Sequence, residues 1–213
     1  MKTDDLIDWL AHDAPPVPRR AVPRRLGAGV ALGLAGAAVL MAAVFGLRPE
    51  LARMAAEPMF WGKLAYVTAV AAVALALLWR LGRPGARVGA APWALALPVG
   101  LMAWAAFATL WQALPGERMA LVLGSTWRTC PFNIALLSLP ALGAALWALR
   151  GAAPTRLPAA GAAAGLLAGA LGALAYALHC PELQAPFLLV WYLAGMAVPT
   201  VVGGWLGPRV LRW

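Results

Sequence analysis

Six apolar stretches, each long enough to cross a bilayer as a helix, divide this chain. A membrane-spanning helix needs about 20 apolar residues, and the stretches run over residues 26–47, 60–79, 92–114, 131–149, 157–178 and 187–206. The longest of the remaining segments is the N-terminal one of 25 residues, too short for a separate globular domain. The pattern predicts an all-α fold, a polytopic membrane protein built as a six-transmembrane-helix bundle.

The composition excludes an ordinary soluble domain. Of the 213 residues, 63% are hydrophobic and 12% are charged, whereas soluble proteins carry about 25% charged residues. So little charge cannot cover a water-exposed surface. The apolar side chains are therefore expected to meet membrane lipid.

Basic residues are distributed unevenly between the two sides of the predicted bundle. Seventeen Lys and Arg against eight Asp and Glu give a net charge of +9. Twelve of the basic residues fall on the side of the N terminus, and five fall on the other side, namely Arg48, Arg53, Lys63, Arg118 and Arg128. Since basic loops stay in the cytoplasm, both termini are predicted to be cytoplasmic. The basic residues lie between apolar stretches and are not clustered on one face, so they do not indicate direct binding of nucleic acid.

The N-terminal 25 residues form the first of two predicted regions, and residues 26–213 form the transmembrane domain. Thr3 is suited to cap a short helix whose first turn carries two aspartates, and a linker rich in Pro and Arg follows it. An acidic amphipathic helix suits a basic protein surface better than an anionic membrane. The candidate partner-binding residues are Asp4, Asp5, Leu6, Ile7, Trp9 and Leu10. The alternative is an unstructured tail that only orients the chain.

The chain has two cysteines, and both are predicted to lie on the outer side of the membrane. Cys130 precedes the fourth stretch and Cys180 follows the fifth. A structural disulfide, a site for soft metal ions or oxidants, and simple packing of buried thiols remain alternatives, of which the spacing favours the disulfide. No obligatory cofactor is expected, but a transient soft-metal ion would find its ligands in Cys130 and Cys180, with His179 and Glu182 as further candidates. Its position at a helix N terminus beside Arg128, whose charge favours a thiolate, predicts that Cys130 is the more reactive thiol.

The chain carries no motif of a zinc protease, a phosphate-binding loop, a serine hydrolase or a thioredoxin. We therefore expect that it is not an enzyme, with a thiol-dependent membrane enzyme or a small metal transporter as the alternative. Lys63 near the outer end of the second stretch is expected to extend to the interface, unless it has a partner inside the bundle.

Helix packing is indicated by small residues and prolines inside the apolar stretches. Glycines four residues apart at Gly29 and Gly33, and at Gly161, Gly165 and Gly169, would let helices approach closely, although such spacings also arise by chance in a chain rich in Gly and Ala. Proline at positions 98, 140 and 199 is expected to kink the third, fourth and sixth helices.

In combination, several short segments resemble the NrsF family of bacterial membrane anti-sigma factors over essentially the whole chain. They are DDLI at residues 4–7 with VPR at 17–19, FWGKL at 60–64, and the single cysteines at Cys130 and in HCP at 179–181. The resemblance implies a six-helix protein of the bacterial inner membrane. Such a protein sequesters an extracytoplasmic-function sigma factor and releases it under heavy-metal stress such as chromate or cadmium. It also implies a sensing role for Cys130 and Cys180, which places that role above a structural disulfide.

Overall fold

The computed structural model describes residues 3–12, 21–46, 48–85 and 88–212, which form helices and turns without any strand. In chain order the helices are α1 (Thr3–His12), α2 (Ala21–Val44), α3 (Leu51–Met54), α4 (Pro58–Leu81), α5 (Ala96–Gln112), α6 (Arg118–Leu123), α7 (Cys130–Leu137), α8 (Leu139–Arg150), α9 (Leu157–Ala177), α10 (Ala185–Phe187) and α11 (Leu193–Val210). A 3₁₀ turn, Ala91–Leu95, leads into α5, and a π-helical turn, Leu188–Tyr192, joins α10 to α11.

The predicted apolar stretches coincide with helices of the structure. Five helical segments of the described residues are long and apolar enough to span a membrane, and the pair α7 and α8 makes a sixth if it is counted as one bent span. The first membrane-spanning helix, α2, starts earlier than predicted. It begins at Ala21 and includes the last five residues of the predicted linker. Pro23 fits there because the first four N–H groups of a helix have no partner within it.

The fourth predicted span is broken in the middle, as expected from Pro140. The axes of α7 and α8 meet at 41°. Proline has no N–H to donate to the preceding turn. At the same junction the Ser138 hydroxyl donates to the carbonyl oxygen of Ala135 at 2.6 Å.

Helix α9 lies at the centre of the bundle and packs against α2, α4, α7, α8 and α11. Its small side chains allow this, since a Cβ on Gly165 would overlap the carbonyl oxygen of Pro199 in α11, and one on Gly161 would overlap that of Gly203. The glycine spacing predicted for this helix therefore marks a close contact. In α2, a Cβ on Gly33 would lie 2.9 Å from Cα of Ala141 in α8. The glycine spacing in α2 therefore also marks a close contact between two helices.

The two cysteines lie at the same end of the bundle, where α2 and α9 end and α4 and α7 begin. His179 Nδ1 is 3.2 Å from the carbonyl oxygen of Gly46 at this end. At the other end, Arg150 Nε donates to the carbonyl oxygen of Val210 at 2.9 Å. That the cysteine end faces away from the cytoplasm stays a prediction from the distribution of basic residues.

Candidate functional site

The two cysteines, fifty positions apart in the sequence, come together as a buried pair of free thiols. Cys130 is the first residue of α7, and Cys180 follows the last turn of α9. Both side chains are 0% exposed, neither forms a disulfide, and the two thiols lie close enough to interact with each other. The two cysteines singled out in the sequence are therefore neighbours that are shielded from solvent, and their sensing role stays a prediction.

That Cys130 is the more reactive thiol stays a prediction. Interaction with the Cys130 thiol and the nearby Lys63 ammonium both lower the pKa of Cys180, against the effect of burial. Arg128, which was expected to favour a thiolate at Cys130, is exposed and lies 5.0 Å from the centre of the Trp127 ring. The Lys63 ammonium, which is bonded to the carbonyl oxygen of Cys180, therefore favours a thiolate at this end of the bundle.

Lys63 lies inside the bundle, next to the thiols, and does not extend to the interface as expected. Its side chain is 0% exposed. Nζ donates to the carbonyl oxygen of Cys180 at 3.0 Å and to that of Glu182 at 3.3 Å. The alternative of a partner inside the bundle is thus the correct one. The available signal was an ionisable residue within an apolar helix, which by itself indicates a functional position.

His179 and Glu182 do not join the sulfurs in a metal site. The Glu182 carboxylate accepts hydrogen bonds from the Ser125 amide at 2.7 Å and the Ser125 hydroxyl at 2.6 Å, and it packs on Gly124, whose φ of +56° suits glycine. The His179 ring lies 5.3 Å from that of Phe45. No group of three or more His, Cys, Asp and Glu residues in the described part of the chain is arranged to hold a metal ion. The four-residue ligand set considered from the sequence is therefore not assembled.

Tyr192 completes the surroundings of the thiols and was missed by sequence analysis. It is fully buried on the π-helical turn, with its hydroxyl close to the Cys180 sulfur. Single π-helical turns occur often at functional sites. No periodicity in the sequence distinguishes such a turn from regular α-helix.

The N-terminal helix predicted as a docking segment is present as α1. Asp4, Asp5, Ile7 and Trp9 are exposed, the last two with 57% and 64% of their surface accessible. The side chains of Leu6 and Leu10 lie outside the described residues. The apolar side chains of Ile7 and Trp9 therefore stand beside carboxylates on the surface of a short helix.

Burial of the thiols gives a first prediction. A membrane-impermeant maleimide should label Cys130 and Cys180 at least about 100-fold more slowly than an exposed cysteine, because reaction requires a local opening that costs about 3 kcal/mol. The reference is a cysteine placed at exposed Gln112 in a chain with both native cysteines replaced by serine. Labelling at equal rates would contradict the buried arrangement.

Comparison with known proteins identifies the family. The family described as "Negative regulator of sigma F", NrsF, matches residues 10–213. The chain is 49% identical over 214 residues to the "Probable anti-sigma-F factor NrsF" of Azospira oryzae and 41% identical over 217 residues to the "Anti-sigma-F factor NrsF" of Caulobacter vibrioides, each match covering 100% of both chains. No solved structure matches the chain. The chain therefore belongs to the NrsF family of negative regulators of sigma F, whose named members are regulators rather than enzymes.

Proposed function

We propose that this protein is a membrane-bound anti-sigma factor that binds a sigma factor through α1 and releases it when Cys130 and Cys180 are modified by a soft metal ion or an oxidant. The observation that carries the regulatory role is the similarity over the full length to two anti-sigma-F factors. By the resemblance given above, the partner is an extracytoplasmic-function sigma factor held at the bacterial inner membrane. The apolar spans support membrane insertion.

The exposed surface of α1 supports its role in binding the partner. Trp9 offers an apolar anchor, and aspartates at the start of the helix attract a basic surface during association. A ten-residue helix covers less than the roughly 800 Å² per partner of a standard interface. We therefore expect basic cytoplasmic loops of the bundle to contribute further contacts.

Helix α2 connects the thiols to the docking segment. Gly46, two residues beyond the C-terminal end of α2, contacts His179 beside Cys180 at 3.2 Å, and the N-terminal end of α2 follows α1 along the chain. A ligand shifts an equilibrium only through its different affinity for the two states. Modification of the sulfurs must therefore favour a packing of α2 in which the cytoplasmic side binds the sigma factor less well.

Replacing both cysteines with serine tests this proposal. The variant should keep the sigma factor at the membrane, since α1 is unchanged, and should lose the response to cadmium, since soft metals bind thiolates and not serine hydroxyls. The measurements are co-purification of the sigma factor with membranes and activity of a sigma-dependent reporter with and without cadmium.

The single variants Cys130→Ser and Cys180→Ser serve as controls. Each keeps one sulfur and should respond weakly, which separates loss of the pair from a general effect of the substitutions. Induction of the reporter by cadmium in the cysteine-free chain would show that the sensor lies elsewhere. Loss of repression without cadmium would show that the thiols act in folding.

A further inference from the structure

Lys63 is the one buried charged side chain among the described residues. It begins on α4 and reaches the segment after α9, so its two hydrogen bonds join two elements separated by more than a hundred residues. Burial of an ammonium group costs several kcal/mol unless its charge and its donors are satisfied. A residue of this kind needs a compensating partner.

That partner is not a carboxylate. Within the described residues the salt bridge found is Arg48 with Glu50, and the Glu182 side chain bonds to Ser125 instead. Two carbonyl oxygens satisfy two of the three donors of Lys63. The remaining negative potential comes chiefly from the sulfurs of Cys180 and Cys130, with a weaker electrostatic contribution from Glu182.

We propose that Lys63 is the positioning residue that ties the thiol pair to α4, and that modification of the sulfurs releases this tie and thereby moves α4 relative to α9. The inference rests on the proposed sensing function and concerns how the signal leaves the sulfurs. It assigns Lys63 no role in binding the metal ion.

The charge balance explains the release. A divalent soft metal ion bonds to both sulfurs, any protons still on them pass to solvent, and no electron is transferred. The resulting metal dithiolate is neutral, its sulfur lone pairs are bonded to a cation, and Lys63 keeps its charge. The negative charge on the sulfurs that offset the buried ammonium group is then taken up by the metal ion, so the cost of burying Lys63 is no longer compensated. Lys63 withdraws from the carbonyl oxygens of Cys180 and Glu182, and α4 is freed from that segment.

The test is Lys63→Met in the full-length chain, with cadmium chloride as the probe. The purified variant should still show the cadmium–thiolate absorbance band, because both sulfurs are present. It should still retain the sigma factor, but induction of the reporter by cadmium should fall by about tenfold, within the usual range for coupling between two sites. Lys63→Arg, which keeps the charge and the donors, should restore part of the induction.

Arg53→Met is the matched control, since Arg53 is an exposed basic residue at the same end of the bundle. It should behave as the unsubstituted chain. Full induction in Lys63→Met overturns the inference, and so does loss of the cadmium band, which would place Lys63 in metal binding instead. If Lys63→Met does not accumulate in the membrane, Lys63→Gln decides, because it removes the charge and keeps N–H donors, and wild-type induction in it would also overturn the inference.

These outcomes separate the inference from the function on which it rests. If the cysteine-free chain still responds to cadmium, the sensing proposal fails, whatever Lys63 does. If the cysteine-free chain is silent and Lys63→Met responds normally, sensing by the thiols stands and only the role of Lys63 is lost.

Discussion

Replacing Trp9 with alanine should weaken retention of the sigma factor by at least about 30-fold, because truncating an aromatic anchor at an interface costs about 2 kcal/mol or more. Trp9 has 64% of its surface exposed on α1, so the substitution removes apolar surface that is available to a partner. A loss of helix stability contributes little, since alanine is the best helix former. The measurement is the affinity of the sigma factor for the full-length protein in detergent or nanodiscs.

Trp61→Ala is the matched control for this variant. Trp61 is 60% exposed but lies at the start of α4, at the end of the bundle that carries the thiols. It should leave retention unchanged. If Trp9→Ala binds the sigma factor as tightly as the unsubstituted chain, and deletion of residues 2–14 does too, then α1 is not the docking segment and the cytoplasmic loops bind the partner alone.

Replacing Gly165 with leucine should prevent the bundle from forming. A Cβ at this position would overlap the backbone of α11 at Pro199 and Thr200. Relieving the overlap requires the backbones of α9 and α11 to move apart, which breaks their contact. Inserting side-chain atoms into a well-packed core commonly costs about 1–3 kcal/mol, and a collision with backbone is at the upper end or beyond. We expect little monodisperse protein by size-exclusion chromatography and loss of repression.

Gly143→Leu provides the comparison, because a Cβ on Gly143 in α8 meets nothing within 4 Å. This variant should accumulate and repress normally, which shows that a leucine in place of a helix glycine is not harmful in itself. Normal yield and unchanged thermal stability of Gly165→Leu would mean that α9 and α11 are not packed as described.

The helices could be predicted from the sequence because the bilayer requirement for long apolar segments is simple and strong. The limits of individual helices could not, since α2 begins at Ala21 among residues that are polar enough to read as linker. The 41° bend between α7 and α8 followed from Pro140, whose effect on a helix is local. The close contact of α9 with α11 was only one of two interpretations, because glycine spacing does not identify the facing helix.

The thiol pair was found from the sequence, but its surroundings were not. Cys130 precedes the fourth span and Cys180 follows the fifth. Because successive spans run in opposite directions, these two positions fall at the same end of the bundle. The direction of the Lys63, His179 and Glu182 side chains depends on packing between elements far apart in sequence. Lys63 turned inward to the thiols, and Glu182 turned away from them to Ser125.

The π-helical turn at Leu188–Tyr192 makes the number of residues in the last helix important. One end of this helix presents Tyr192 to the thiols, and the other presents Gly203 and Gly207 to α9. Each residue advances an α-helix by about 100°, so the wider turn sets the angular offset between these two surfaces. Adding or deleting one residue between them would rotate one surface away from its partner while the other stayed in place, even if the added or deleted residue were apolar.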